Sequence, residues 1–407
     1  MSKIKILVIP SDKFGVGKFR MLDPFKYIGD NYADDIHVDI SFNAPTDDDF
    51  FKEYNIVIFH SFIHQTHHED NVARIKWLKE KGIVTIMDID DLWFVDSRHP
   101  MYHAIKQHKI GEKKIEMLKL VDHITTTTKI FKNTIKEKLG LTNVEVFPNA
   151  IDENENQFKK NDIPSNRVRF GWLGGSSHLS DIELLSGGIS SIENSFKEKV
   201  QFVLCGFDLR GTVTEINPQT GEQRKRDIQP TETVWYKYEK IFTDDYKVLS
   251  AEYSKYLNTF TEGSYNDENE PYIRKWTKDV GSYATNYNCF DVSLAPLVNS
   301  VFNNNKSQLK VIEAGFHKKA IIASEVPPYT LDLISAVDNG QFNNKGNALL
   351  VAENRNHKDW AKHMKRLIEN PNMIEDLGNR LYETVKDTYS LSKVSKDRVE
   401  FFKSTIK

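Results

Sequence analysis

A chain of 407 residues is long enough for two domains of ordinary size. Hydrophobic residues make up 39% and charged residues 28%, which supports packed cores and excludes a chain disordered throughout. The formal net charge of −3 offers no general attraction to nucleic acid or to an anionic membrane.

The opening MSKIKILVIP is too short an apolar run for a signal segment, and its IKILVI at 4–9 reads as a first strand. Further strands are expected at NIVIF (55–59), IVTIMDI (83–89), HITTTT (123–128) and VEVFPN (144–149). Between them, NVARIKWLKEKG and TKIFKNTIKEKLG have the pattern of helices, each closed by a glycine where a C-cap belongs. Short apolar strands alternating with such helices predict a mainly parallel sheet covered on both faces. The alternation restarts after the polar DENENQFKKNDIPSNR, with VRFGWLG (168–174), VQFVLCGF (200–207), FDVSLAPL (290–297), a helix around LKVIEAGF, AIIAS (320–324) and NALLV (347–351). A linker is placed near 152–166. The expected class is therefore α/β with two Rossmann-like lobes, 1–155 and 166–390, and a last helix at 391–407 crossing back onto the first lobe.

Residues 208–270 break this rhythm and are expected to be an insertion in the second lobe. RGTVTEINPQTGEQRKRD has the turns and charge of a hairpin or loop, and Gln223 to Arg226 reads as solvated loop rather than a phosphate site. VWYKYEKIFTDDYKVLSAEYSKYL carries aromatic residues at helical intervals, which fits a packed helix or a platform for stacking bases or sugars. Cys205 and Cys289, the two cysteines, lie far apart in apolar surroundings, as expected of reduced thiols in a cytoplasmic protein. No stretch approaches the roughly 18 apolar residues of a membrane span, so membrane attachment is at most peripheral.

The segment FNNNKSQLKVIEAGFHKKAIIASEVPPY at 302–329 carries the strongest functional signal. It begins beyond a strand's carboxyl end, where open parallel sheets place their ligands. A helix starting near Ser307 presents free backbone N–H groups and its positive dipole end, an arrangement suited to a diphosphate. Lys306 and Lys310 add charge to it, and Glu313 is placed to accept hydrogen bonds from a ribose diol. FGWLGGSSHLSDIELL at 170–185 runs a strand into Gly174, Gly175 and Ser176, then His178, with Asp181 in the first turn of the next helix. Paired glycines let a backbone approach a ligand closely. Gly206, at the end of the following strand, joins this donor-side group.

DKFGVGKFRMLDPFKYIG at 12–29 places Gly15 and Gly17 at a strand-to-helix junction, with Lys18 and Arg20 bringing positive charge toward the space between the lobes. Position 20 is arginine, so the full G-x-G-x-x-G is absent. In MDIDDLWFVD at 87–96, Asp88, Asp90 and Asp91 follow a buried-looking strand, and at least one is expected to face the cleft. They suit a divalent metal as a D-x-D signature, an acceptor hydroxyl held by a carboxylate, or a helix cap. HSFIHQTHHED at 60–70 spaces His60 and His64 as zinc ligands can be, yet lacks cysteine partners, so His60 is expected to line the cleft instead.

The order FDVSLAPL, polar loop, KSQLKVIEAG, AIIAS, PPY resembles the retaining glycosyltransferases of the GT-B fold, group 1. The likeness covers nearly the whole chain outside 208–270, including the closing GNALLVAENRNHKDWAKHMKRLIENPNMIEDLGNRLYETVKD. In that family two Glu residues, seven positions intervening, bracket the donor site. Glu313 matches the second, implied at the nucleotide ribose, and the first falls on Asn305. The family's Arg and Lys after the first strand of the second lobe are missing, and Met87 replaces the His of its His–Asp pair. The resemblance also implies that the Gly15–Gly17 loop closes over the donor phosphates, and two lobes weigh against the D-x-D metal site of the single-lobed GT-A enzymes.

The expected activity is hexosyltransferase-like: a sugar moves from a nucleotide-diphosphate sugar, a co-substrate, to a hydroxyl of a glycan, polysaccharide precursor or similar acceptor. Asp90, Asp91, Lys310 and Asn305 are the expected catalytic groups, with His60, Asp88 and Asp90 on the acceptor side. No metal or other cofactor is called for, and retention at the anomeric carbon is implied by the resemblance alone. Three alternatives stay open: transfer to DNA bases, with the insertion holding nucleic acid against the chain's net acidity; a non-catalytic nucleotide-sugar-binding protein; and a sugar-nucleotide epimerase of the same fold.

Overall fold

The computed structural model describes residues 3–208, 211–216, 219–243 and 271–406. Strands β1 (Ile4–Ile9), β2 (Ile36–Ile40), β3 (Ile56–His60), β4 (Val84–Ile89), β5 (His123–Thr126) and β6 (Val144–Val146) form one all-parallel sheet in the order β2-β1-β3-β4-β5-β6. The second half begins with β7 (Val168–Leu173) and β8 (Val200–Phe207), followed by a hairpin of β9 (Thr212–Ile216) and β10 (Gln223–Asp227). It continues with β11 (Tyr272–Trp276), β12 (Val292–Ala295), β13 (Ala320–Ser324), a small ribbon of β14 (Val337–Asp338) and β15 (Gln341–Phe342), and β16 (Leu349–Val351). The second sheet is also all parallel, in the order β11-β8-β7-β12-β13-β16.

The strands are apolar runs because both faces of each sheet are covered. Along β1, Leu7 and Ile9 join one buried cluster, and Ile6 and Val8 join another on the opposite face. In β8, Phe202 and Leu204 pack on one side and Val203 and Cys205 on the other. Gly140, at φ 71°, ends the helix Lys129–Leu139 in the left-handed turn its sequence predicts. In each sheet the build-out changes direction once, between β1 and β3 and between β7 and β12, which opens a crevice at the strands' carboxyl ends.

The inserted segment differs in part from its sequence reading. Gln223 to Arg226 is strand rather than loop, and Arg226 is ion-paired with Glu215 and Glu232. The helix Val234–Phe242 buries Trp235, Tyr238 and Phe242 in the core of the second sheet, so these rings form no open platform. The rest of the aromatic stretch, 244–257, lies outside the described residues. Among the described residues no helix is long and apolar enough to cross a membrane.

The chain passes between the lobes at two adjoining places. The Ile151 N–H donates to the Tyr389 carbonyl at 2.9 Å, and the Leu391 N–H donates to the Ile151 carbonyl at 2.8 Å. Beyond this crossing the helix Leu391–Thr405 lies on the first lobe, where Phe402 stacks on Phe25 at 5.6 Å between centroids. Phe402 is fully buried, so Phe402→Ala should cost about 3–5 kcal/mol of stability. Chemical denaturation checks this; a loss under about 1 kcal/mol would show that the helix is no integral part of the first lobe.

Candidate active site

A cavity of about 830 Å³ lies between the carboxyl ends of the two sheets. Its first-lobe wall is built by the turn after β1 (Asp12 to Val16), by Phe19 and Arg20, by Asp90 and Asp91 after β4, and by Asn149. Its second-lobe wall combines the loop after β7 (Gly174, Gly175), Gly206 of β8, the residues after β11 (Thr277, Lys278) and the helix Leu309–Phe316 with the residues before it. Both crevices predicted by the strand orders therefore open into one space.

On the second wall, Lys310 and Glu313 stand one turn apart on that helix. The Lys310 ammonium donates to the Leu173 carbonyl and lies 5.0 Å from the centroid of the Trp172 ring. Lys306 lies 5.0 Å from the centre of Phe302. Among the described residues neither lysine has a carboxylate in ion-pair range. Burial pulls the Lys310 pKa below its usual value; Lys306 adds to this, and Glu313 and Asp181 oppose it. The backbone is shaped around this ammonium: a Cβ on Gly174 would meet the Trp172 ring at 2.5 Å and the Lys310 nitrogen at 3.0 Å. Gly206, at φ 88°, abuts the Gly174 carbonyl so closely that a Cβ would lie 2.3 Å from it.

Glu313 is 4% exposed and accepts hydrogen bonds from both Tyr283 and Tyr287, the latter at 3.0 Å. Burial raises its pKa, and the two phenols and Lys310 work against that rise. His178 bonds Asp181 through Nδ1 at 2.8 Å, yet burial still lowers its pKa to about 4, so the ring is neutral near pH 7. Asp181 also accepts from the Val298 N–H at 2.8 Å and from Asn303 at 3.2 Å, which ties the loop after β12 to His178. Asn286 lines the cavity, is 1% exposed, and has no partner for Oδ1 among the described residues.

On the first wall, Asp90 contacts His60 Nε2 at 2.9 Å, and His60 Nδ1 contacts the Ser11 hydroxyl at 2.8 Å. Burial favours protonated Asp90, but the His60 hydrogen bond and the charges of His60, Lys114 and Arg20 outweigh it and hold the pKa below the usual range. Asp91 behaves oppositely: burial and the neighbouring Asp90 push it up to about 6 against the pull of Lys306 and Lys114. Two adjacent carboxylates thus titrate far apart, a pattern that concentrates at functional sites.

No known protein-family model matches the chain, and no curated protein sequence matches it. Solved structures do. Alr3699/HepE from Anabaena, solved with UDP and glucose, superposes with TM-score 0.60 at 12% identity over 98% of this chain and 100% of that one. The catalytic domain of starch synthase IV from Arabidopsis thaliana, bound to ADP and acarbose, gives 0.56 at 10% identity over 100% of both chains. S. aureus TarM, solved with fondaparinux, alpha-GlcNAc-glycerol and UDP, gives 0.53 at 15% identity over 86% of this chain and 55% of that one. This is the GT-B fold.

Within the GT-B cleft the structure gathers Gly15, Arg20, Asp90, Asp91, Gly174, Gly175, His178, Gly206, Lys306, Ser307, Lys310 and Glu313 around one cavity. Others of the expected site lie elsewhere. Lys18 is tied to Asp23 at 2.8 Å and to Glu155 at 2.6 Å, so it brings no free charge to the cleft. Asp88 is fully buried and is held by Arg20 at 2.6 and 2.9 Å and by the Thr125 hydroxyl at 2.6 Å; it organises the strand end and cannot meet an acceptor. The Arg20 guanidinium is occupied by that pairing and by the Phe147 carbonyl. Asn305 is 4% exposed, donates to the Val301 carbonyl at 2.7 Å and does not line the cavity.

Gly17 and Ser176 are also absent from the lining. A Cβ on Gly17 would overlap the Asp12 carbonyl at 1.9 Å, so its place is set by packing. The helix expected to start near Ser307 begins at Leu309, and the Ser307 hydroxyl accepts from Asn149 at 3.0 Å. His60 stands behind Asp90 and does not reach the lining itself. It brings an imidazole from β3 to Asp90, a contact that the Met87 side chain cannot make. His64 turns away to the Ala44 carbonyl at 3.1 Å, and among the described residues no group of three or more His, Cys, Asp or Glu is placed to hold a metal.

The Asp91 shift has a testable sign. A folded-state pKa near 6, above the usual carboxylate range, means that ionising Asp91 costs stability above pH 6 and nothing below about pH 4. Asp91→Asn should raise the unfolding midpoint by roughly 2–4 °C near neutral pH, an advantage that shrinks as the pH falls through that window. Thermal scans at several pH values decide it; an advantage independent of pH would refute the assignment.

Proposed function

We propose that the cleft transfers a sugar from a nucleotide-diphosphate sugar to a hydroxyl acceptor. The observation that carries this reading is the pair Lys306 and Lys310, lining a large cavity with no carboxylate partner among the described residues. Of the two, Lys310 is the one whose charge burial disfavours, and an anion beside it would offset that cost. Gly15 and Gly175 face each other's lobes across the lining, and a Cβ on either would meet nothing within 4 Å, which leaves room for a ligand.

In this reading the diphosphate lies against the N-terminus of the helix Leu309–Phe316, against Lys310 on it and Lys306 just before it. Glu313, oriented by Tyr283 and Tyr287, keeps lone pairs for the ribose diol. The acceptor oxygen bonds to the anomeric carbon as the bond from that carbon to the diphosphate oxygen breaks. The bonding pair leaves with the diphosphate, which also takes the hydroxyl proton. Lys306, Lys310 and the helix N-terminus stabilise the charge that develops there, so that the step needs no metal. Asp90, fixed by His60, and Asp91 position the acceptor hydroxyl.

Retention follows the resemblance of the 302–329 segment to group 1 enzymes, and the UDP in HepE and TarM makes uridine the first base to test. A cytoplasmic setting fits the two free, buried cysteines. Lys310→Ala and Glu313→Ala should each weaken UDP binding by about 10- to 100-fold in calorimetric titration. A panel of UDP-, GDP- and ADP-sugars should reveal at least one donor that the chain turns over. Wild-type affinity in both variants would remove the donor assignment.

A further inference from the structure

The two walls of the cleft carry opposite charge, and the first-lobe wall is the acidic one. Asp12, Asp90 and Asp91 all line it. Arg20, the cation among its lining residues, is committed to both oxygens of Asp88. Lys18, nearby in sequence, is committed to Asp23 and Glu155. Lys114 and His60 temper Asp90 and Asp91 from behind the wall without reaching the cavity. A phosphate placed against this surface would meet like charge in a recess where salt screens poorly.

The same wall exposes an aromatic face. Phe14 lines the cavity and is 73% exposed, the highest exposure among the large hydrophobic residues described. Its position is fixed: Asp12 Oδ1 accepts from the Phe14 N–H at 2.8 Å and from the Gly17 N–H at 3.2 Å, which locks the turn that presents the ring. A single exposed ring is ordinary on a protein surface. One that lines a cavity beside three carboxylates combines an apolar face with acceptors for hydroxyl groups, and a sugar ring offers the complement of both.

Resting on the glycosyl-transfer reading of this cleft, we propose that the acceptor is an uncharged carbohydrate. Its ring packs on Phe14, its hydroxyls are held by Asp12, Asp90 and Asp91, and acceptors bearing phosphate, nucleic acid included, are rejected. The division of charge then does two jobs: the lysine wall takes the diphosphate and the aspartate wall takes the neutral partner, so the two substrates do not exchange places.

The test uses the full chain and whichever nucleotide sugar it hydrolyses. Transfer is measured to a panel of neutral mono- and oligosaccharides, to the same saccharides carrying a phosphate, and to a duplex oligonucleotide. The expected result is transfer to a neutral saccharide with kcat/KM at least about tenfold above its phosphorylated counterpart, and none to DNA. Phe14→Ala should raise the KM for that saccharide about tenfold while changing kcat less. Equal or better use of a phosphorylated acceptor, no transfer to any neutral saccharide, or an unchanged KM in Phe14→Ala overturns the proposal and leaves the donor site standing. A chain that neither binds nor hydrolyses any nucleotide sugar overturns both readings together.

Discussion

The ammonium of Lys310 is the constraint around which the second-lobe wall is built. It is desolvated, sits against an indole face and one carbonyl, and has no carboxylate within ion-pair range among the described residues. Burial disfavours the charge of such a group and pulls its pKa down. The surrounding sequence accommodates it at specific positions. Trp172 has to be aromatic to offer a π face, Gly174 has to lack a side chain because a Cβ would collide with the Trp172 ring, and Gly206 has to let the Gly174 backbone close in. In the proposed reading an incoming diphosphate would remove the penalty, so that binding energy and architecture meet at one atom.

The first-lobe wall stores the opposite tension. Asp91 is partly shielded from water and adjoins an ionised Asp90, and it too is held in a state that costs stability near neutral pH. What keeps the two walls from collapsing into one ion-pair network is the packing between lobes. Phe302 of the second lobe enters the core beneath β3 and β4, with its ring 5.2 Å from His99. Phe19 of the first lobe packs among second-lobe residues, 6.4 Å from Phe158. These reciprocal insertions, with the paired crossings at Ile151 and Ser390, set the distance at which lysines and aspartates face each other.

Much of this was legible in the chain. The strands that pack both faces announce themselves as apolar runs, and ten of them fall where their sequences predict. Two did not. In β2, IHVDI alternates polar and apolar residues because it is a half-exposed edge. In β11, YIRKW carries a fully buried arginine whose charge is met by Glu239, 35 positions earlier and invisible to any local pattern. The same limit explains the site residues that moved. Lys18, Asp88 and Asn305 look available in sequence, and each is consumed by partners that only the fold brings near. Conversely, the His60–Asp90 contact joins residues 30 positions apart and depends on β3 lying beside β4. Tyr283 and Tyr287 were legible only as aromatic residues before a strand, since nothing local reveals that both phenols converge on Glu313.

The missing basic pair after β7 gains a physical explanation from this geometry. In the proposed reading, arginine and lysine in that loop would have to reach across Gly174 and Gly175 to the anion, with long side chains to order at each binding event. Here the charge comes from Lys306 and Lys310, at and before the start of a helix whose Val311, Ile312 and Ala314 are buried in the second-lobe core. Lys310, on the packed helix, is better fixed than a cation on a loop would be, which in the proposed reading leaves less reorganisation when charge develops on the leaving group. Lys306, in the loop before the helix, also acts across the cleft and lowers the Asp91 pKa from the opposite wall. The charge of one wall is thus felt by a carboxylate on the other.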